Sequence, residues 1–411
     1  SETVRNGLKP KTELWIPAYS WKKKDGTVVN LKDTIGEPAF EGDRRLHIVV
    51  FSPMNLDKVY ARTGYVSDTT DTYDPIDKDI QESVEFVQGI LYGAETFIST
   101  NDDIAVKITV IDTQQDTARL SKVLWRYRTT SDVWITNESG SVLSYISRNA
   151  KRSGIQLLSC GVNTTQFIHK NEHAISMLPS SLTQCEMIGK YMAEKYEKGT
   201  GVFLKTSGPK EIDRYKAFLK GWTDASQNPA RTVDYSKSGI GGIYDSLGYG
   251  KKNVVFVPSA NEVLVSTLLN SMRRRSRSSS TILVGLPTWF DFQTVDPLAL
   301  QESNVHYFTS GDPILDNDTV LVFRRYYREK YATEPLESAY VGYDAISMIL
   351  KCRSKAGRDF LMDPDMRSYR GIFSEYKFER PVESECYENK RIVVWSFENI
   401  IPERVVEKEE D

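Results

Sequence analysis

The chain has 411 residues, with 53 Lys and Arg against 56 Asp and Glu, and its formal net charge of −3 excludes the strong basic field of a nucleic-acid or anionic-membrane binder. Hydrophobic residues make up 40% and aromatics 11%, a globular balance, and no apolar run approaches the ~20 residues needed to span a bilayer as a helix. A chain of this length exceeds one ordinary core, so two or three domains are expected.

The sequence opens Ser1-Glu2-Thr3, without an initiator Met or a signal-peptide pattern, and reads as a processed or trimmed product. From Leu46 onward, short β-branched runs alternate with amphipathic stretches of helical length, the pattern of βαβ units around a parallel sheet. Residues 46–51 read as a buried first strand. The loop that follows, 52–79, is the longest and lies beyond a strand end, the side of an open α/β sheet where ligands sit. Val84, Val87, Gln88, Leu91 and Ala94 then give helical spacing. Strands are expected at 105–111, 132–136 and 155–159, with helices over 117–128 and 141–151, the latter capped by Ser139 or Ser141. A second series follows Pro179: helix 182–196, strand 201–205, helix 211–222, strand 253–257, helix 262–272 and strand 281–286. Helices 318–331 and 338–355 precede a tail whose alternating runs, 375–378 and 391–397, are expected to form an antiparallel edge hairpin.

Catalytic and metal chemistry find little support. Cys160, Cys185, Cys352 and Cys386 are isolated, which leaves free buried thiols and one bridge both open. His169 and His173 have i, i+4 spacing but no H-E-x-x-H context, and they fall in an expected loop between domains. Gly239-Ile240-Gly241-Gly242 is a turn sequence rather than a phosphate cradle, and Arg273–Arg275 with Arg277 reads as a solvated helix end. No catalytic residue, metal or cofactor is expected. The polar chemistry gathers instead at two expected strand ends, Thr136-Asn137-Glu138-Ser139-Gly140-Ser141 and Ser159-Cys160-Gly161-Val162-Asn163-Thr164. Such loops bring hydroxyls and backbone N–H groups together at helix starts and suit an anion, although each residue could equally be a cap or a turn former.

With these elements placed, the sequence resembles the type 1 periplasmic-binding family, which includes leucine- and branched-chain-amino-acid-binding proteins. The segment from Phe323 through Tyr327 and Tyr331 to Pro335, followed by Ala339-Tyr340-Val341-Gly342-Tyr343-Asp344-Ala345, is similar to that family's F-x-x-x-Y-x-x-x-Y-x-x-x-P…A-x-x-G-Y-D-A pattern. Here the aromatic stripe reads as core, and Gly342 as a point of close packing. Gly285-Leu286-Pro287-Thr288-Trp289 with Phe292 and Asp296, and Val257-Pro258-Ser259 with Glu262, resemble a Bacteroidetes-type subgroup that carries a peptidoglycan-binding LysM repeat. The stretch Asn6-Gly7-Leu8-Lys9-Pro10 to Ile16-Pro17 looks like the tail of such a repeat.

The resemblance implies a two-lobed α/β fold, each lobe a mostly parallel sheet flanked by helices, joined by three hinge crossovers. It divides the chain into a LysM tail and linker (1–43), lobe one (44–178 with 307–357) and lobe two (179–306 with 358–411). Its ligand contacts fall at Asn137, Ser139, Ser141, Ser159, Asn163 and Thr164 in lobe one, and at Ser180, Ser259, Asn261, Glu262 and Trp289 in lobe two. The implied function is non-catalytic binding of a small polar ligand, an amino acid, peptide or cell-wall fragment, in the periplasm, with outer-membrane association. The alternative is a ligand-free envelope scaffold docking an outer-membrane assembly, or peptidoglycan through a LysM repeat completed upstream. Two departures stand out: Asn137-Glu138 replaces the family's Gly-Pro, and Ser159-Cys160 its Ser-Pro. A charged Glu138 opposes an α-carboxylate.

Overall fold

In the computed structural model, which describes residues 21–22, 28–29, 45–58, 77–101, 105–162, 164–275, 280–313, 317–356, 367–380, 382–383 and 385–405, a short antiparallel pair, β1 (Trp21–Lys22) with β2 (Val28–Val29), precedes the main body. The apolar run after residue 44 then becomes β3 (Arg45–Ser52), and helices and strands alternate: α1 (Lys78–Thr100), β4 (Ala105–Asp112), α2 (Thr117–Tyr127), β5 (Val133–Thr136), α3 (Gly140–Ser153), β6 (Gln156–Ser159), α4 (Thr165–Ile168) and β7 (Ala174–Ser176). The second series comprises α5 (Ser181–Lys195), β8 (Thr200–Lys205), α6 (Pro209–Ala225), β9 (Ala230–Asp234), α7 (Tyr235–Ser246), β10 (Asn253–Phe256), α8 (Glu262–Arg275), β11 (Thr281–Val284), a 3₁₀ turn (Pro287–Asp291), α9 (Pro297–Glu302) and β12 (Val305–Thr309). The chain ends with α10 (Asp318–Tyr331), α11 (Glu337–Ala356), β13 (Ser368–Arg370), β14 (Glu375–Glu379), β15 (Tyr387–Asn389), β16 (Val393–Glu398) and β17 (Ile401–Arg404).

Contacts divide the chain into two units, one running to Leu178 and resuming over Asp312–Asn389, the other comprising Pro179–Gly311 and the chain from Lys390. The backbone therefore passes between units three times. In the first unit the sheet order is β13-β14-β15-β7-β6-β5-β3-β4, parallel from β15 to β4, with β13 and β14 antiparallel at one edge. In the second it is β17-β16-β12-β11-β10-β8-β9, parallel from β12 to β9. Each unit is thus a mostly parallel sheet flanked by helices, the expected fold class.

The central strands read as unbroken apolar runs because both faces are covered. Alternation along β3 sends Ile48 and Val50 into a core with Phe86 and Ile90 of α1 and Ile346 of α11. Val49 and Phe51 face Leu120 and Leu124 of α2 and Val142, Leu143 and Ile146 of α3. The expected aromatic stripe is core: Phe323, Tyr327 and Tyr331 are buried, and Tyr326 stacks on Tyr92 with ring centroids 3.9 Å apart. Gly342 is a point of close approach, since a Cβ there would stand 2.1 Å from the Phe86 carbonyl oxygen. The second unit repeats the device between α5 and α6, where a Cβ on Gly221 would stand 1.9 Å from the Glu186 oxygen.

Several expectations need correction. The tail hairpin does not form: 375–378 lies in β14 of the first sheet, between β13 and β15, whereas 393–397 of the other run lies in β16 of the second, between β12 and β17. Alternation marked both runs as half-buried strands but carried nothing about partners, and the three-residue β13 and β15 between or beside them are too short to show a period. The described residues of 367–389 belong to the first unit, against the expectation that 358–411 falls in the second, and β12 belongs to the second unit, which runs up to Gly311. Residues 239–242 lie within α7, kinked at Gly239 with φ 54°. His169 and His173 sit in the turn between α4 and β7, inside the first unit. Arg273 pairs with Glu302, and Arg277 lies outside the described residues, as do the LysM-like residues 6–17 and most of the loop 52–79. All four cysteines are free and buried. Among the described residues no cluster of His, Cys, Asp and Glu could hold a metal ion, and no helix is long and apolar enough to cross a membrane.

Candidate functional site

The C-terminal ends of β3, β4, β5 and β6 carry a buried polar cluster. Asp112, at the end of β4, accepts the backbone N–H groups of Asn55 at 3.0 Å and Leu56 at 2.9 Å, so it pins the start of the loop after β3. One residue on, buried Thr113 donates its hydroxyl to Glu138 Oε1. Glu138 follows β5, its backbone N–H donating to Thr136 Oγ1 at 3.0 Å. Cys160, following β6, donates its N–H to the Thr136 oxygen at 2.7 Å, which holds the two candidate loops side by side.

Within this cluster two side-chain atoms have no hydrogen-bond partner despite being buried: Asn137 Oδ1 and Ser159 Oγ. Most buried polar atoms are satisfied, and one that is not costs roughly 1–3 kcal/mol. Ser139 occupies the N-cap position of α3 without a side-chain cap bond, and both it and Ser141, the second residue of the helix, are exposed. Thr164 is buried and spends its hydroxyl on the Gly161 oxygen at 3.2 Å and on Ser176 at 3.3 Å. Asn163 lies outside the described residues.

Glu138 is 1% exposed. Burial pushes its carboxyl up to about 7, with Asp112 adding to the rise and the Thr113 hydroxyl and Ser139 N–H opposing it. Its side chain is turned inward rather than presented to solvent. A carboxyl whose value is raised on folding binds its proton more tightly in the native state, so stability is full below about 4.5 and falls as pH rises toward 7. Glu138→Gln is therefore expected to stabilise the first unit by about 2 kcal/mol at pH 8, with the gain vanishing by about pH 4.5. Urea unfolding of both proteins across that range measures it; a gain that does not depend on pH would contradict the assignment.

In the second unit the candidate groups are engaged with their own neighbours. Ser180 caps α5, accepting from the Thr183 N–H. Ser259, 0% exposed, donates to Glu211 Oε1 at 2.6 Å and accepts the Asn261 N–H at 3.1 Å. Asn261 in turn caps α8 through the Leu264 N–H. Glu262 accepts both the N–H and the hydroxyl of Thr294, which hold its carboxyl below the usual range. Trp289 is 1% exposed, covers Gly285 and donates its indole N–H to the Ser259 oxygen at 2.9 Å, so it belongs to the core.

Sequence reasoning missed Asp112, Thr113, Glu211 and Thr206. Thr206 directly follows β8, with its Oγ1 buried and unpartnered. For Asp112, Thr113 and Thr206 the signal that could have found them is position alone, polar side chains at or directly after the end of a β-branched run in a parallel sheet; Glu211, inside α6, carries no such signal.

No protein-family profile and no curated protein sequence matches this chain. Solved structures do. A Rhodospirillum rubrum protein assigned as a branched-chain amino acid ABC transporter superposes with a TM-score of 0.63 at 14% identity, covering 88% of this chain and 99% of its own. A branched-chain amino acid ABC transporter periplasmic ligand-binding protein from Burkholderia xenovorans gives 0.58 at 14% identity, covering 88% and 94%. Full-length LpoA from Haemophilus influenzae gives 0.59 at 9% identity, covering 90% of this chain and 60% of that one. At such identities the likeness establishes the fold, the type 1 periplasmic-binding fold, and leaves function to the site.

Proposed function

We propose that this chain is a non-catalytic binding protein of the cell envelope that takes a small polar ligand, drawn from amino acids, peptides and cell-wall fragments, at the strand ends of its first unit. The observation that carries this reading is the pair of unpartnered buried atoms, Asn137 Oδ1 and Ser159 Oγ, at the ends of neighbouring parallel strands beside the start of α3. Strand ends of this kind are where open α/β sheets bind ligands, and a ligand that satisfies these atoms recovers their desolvation cost. A periplasmic location fits the fold's solved relatives, and the LysM-like residues 6–17 support a place beside the cell wall. A LysM repeat completed upstream would supply the peptidoglycan contact.

A thermal-shift screen of amino acids, muropeptides and sugars at millimolar concentration tests the reading. A ligand at a hundred times its Kd is expected to add about 2.7 kcal/mol of stability. Ser159→Ala should raise the free protein's stability by about 1 kcal/mol, because it removes a buried hydroxyl that has no partner, while reducing that ligand-induced gain. No stabilisation by any compound would sink the proposal.

The second unit favours another reading. Ser180, Ser259, Asn261 and Glu262 spend their polar groups on caps and internal bonds, and Trp289 is core, as expected if the fold serves as a scaffold docking an outer-membrane assembly. Co-purification of native material separates the two: a monomer without partners rules out the scaffold.

A further inference from the structure

The near-balanced charge of the whole chain conceals a local imbalance on one side of the first unit. Helices α2 and α3 lie on the same face of its sheet, since Leu120 and Leu124 of one and Val142, Leu143 and Ile146 of the other share a core with Val49 and Phe51. Residues 117–128 contain the cations Arg119, Lys122, Arg126 and Arg128, residues 140–153 contain Arg148, Lys151 and Arg152, and neither stretch contains an acid. Arg119 pairs with Asp57 and Lys151 with Glu172. Among the described residues no ion pair engages the other five, all of which are exposed. The acids that border the helices are engaged elsewhere: Asp116 caps α2, and Asp132 accepts the His47 N–H at 2.8 Å.

Lys122, Trp125 and Arg128 follow one another at i, i+3 spacing along α2, and so lie on one side of it. Arg128 donates to Asn149 Oδ1 of α3, which stands next to Arg148 and one turn before Arg152, so the basic residues of the two helices meet. In their midst Trp125 is 62% exposed, with the Arg126 guanidinium 5.7 Å from its ring centroid. The helix dipole accounts for cations in a last turn, as at Arg126 and Arg152, but not for Lys122 in mid-helix or for a bare tryptophan. A helix face that only meets water ordinarily mixes both signs of charge. Tryptophan among Lys and Arg is the composition that meets a membrane interface, the ring at headgroup level and the cations against anionic lipid.

We infer that the α2–α3 side of the first unit is a docking surface for an anionic membrane, with Lys122, Arg128, Arg148 and Arg152 on lipid phosphates and Trp125 among the headgroups. The contact is peripheral, because the apolar sides of both helices are in the core and the tryptophan ring alone is free to enter the bilayer. It lies apart from the ligand cluster: α3 starts beside that cluster, after β5, whereas Arg148 and Arg152 occupy its last two turns, toward the opposite ends of the strands.

Co-sedimentation of the full chain with lipid vesicles tests it. In about 0.1 M salt, phosphatidylcholine vesicles with about 30% phosphatidylglycerol should bind the protein at least about tenfold more tightly than phosphatidylcholine alone, and about 0.5 M salt should remove most of the difference. Lys122→Glu with Arg152→Glu should weaken binding to the anionic vesicles at least about tenfold, since each basic side chain near such a surface contributes about fivefold. Lys216→Glu with Lys251→Glu, an equal change of charge at exposed positions of the second unit, should leave binding within about twofold. Trp125→Ala keeps every charge and should still weaken it about threefold. These positions are all exposed, so an unchanged urea midpoint verifies folding, and Lys122→Gln replaces the double reversal if that variant unfolds. No binding to anionic vesicles, equal binding to the two vesicles, or equal loss in the patch and control variants overturns the inference. Duplex DNA bound as tightly as the anionic vesicles, with Trp125→Ala without effect on either, reassigns the patch to a soluble polyanion and likewise overturns it.

Discussion

Leucine in place of Gly342 should lower the stability of the first unit by roughly 3 kcal/mol, at the upper end of what overpacking costs. The reason is contact between backbones rather than side chains. A Cβ at 342 would stand 2.1 Å from the Phe86 oxygen and 3.1 Å from the Ile90 nitrogen, and one at Gly89, on the facing helix, 1.9 Å from the Ala339 oxygen. Neither neighbour is the flexible end of a side chain, so relief requires α1 and α11 to separate. Separation would also open the core that Phe86, Ile90 and Ile346 share with β3. Even Gly342→Ala should be destabilising, and the leucine variant more so. Urea unfolding monitored by Trp134, 0% exposed in the first unit, measures the effect. A leucine variant within 1 kcal/mol of wild type would show that the helices can part at little cost, against the usual behaviour of packed interiors.

Asp344→Ala should be of similar size, about 4 kcal/mol, since it leaves several buried donors unpaired. Asp344 Oδ1 accepts the Ile372 N–H at 2.7 Å, and Oδ2 accepts the Phe373 N–H at 2.9 Å and the Tyr376 hydroxyl at 2.9 Å. This one carboxyl ties α11 to the turn between β13 and β14. The turn fits it closely: a Cβ on Gly371 would lie 2.1 Å from Oδ2. Burial pushes the carboxyl up to about 6, against the pull of those three hydrogen bonds. Asp344→Asn, which keeps one acceptor in place, should therefore lose less than the alanine. If alanine and asparagine cost the same, the hydrogen bonds are not what the residue contributes.

Much of the fold was legible because the central strands and long helices carry strong periods. Residues 46–51 and 318–331 needed only a run of buried apolar side chains and an i, i+4 aromatic stripe. Four of the missing strands share a physical reason. β7, β13 and β15 are three residues each, and the first three residues of β9 are exposed, so neither length nor burial pattern marked them. Partner choice was illegible for β14 and β16, since alternation says which face is buried and not which strand lies alongside. At the site, the loops at 136–141 and 159–164 announced themselves by composition, and Glu138 by its charge. What composition could not carry was direction. Glu138 turns inward to Thr113, a residue 25 positions earlier, and that reverses its effect from a surface repulsion to an internal anion. Likewise Ser259 and Trp289 differ little in sequence terms from ligand contacts, yet they bond to each other's surroundings across 30 positions.

The threefold passage of the backbone between units bears on how the protein is made. Synthesis runs from the N-terminus, and the strands β3 to β7 leave the ribosome before any of the second unit does. Their sheet then waits, with β7 lacking its neighbour, through the whole of Pro179–Gly311 and until β15 arrives at Tyr387–Asn389. The second unit is in turn incomplete until β16 covers β12. During translation β7 and β12 are both open edges of parallel sheets, surfaces prone to pairing with other chains. A ribosome stalled before residue 387 would therefore release two unfinished sheets rather than one finished domain, which makes the last strands the step that commits the chain to its native form.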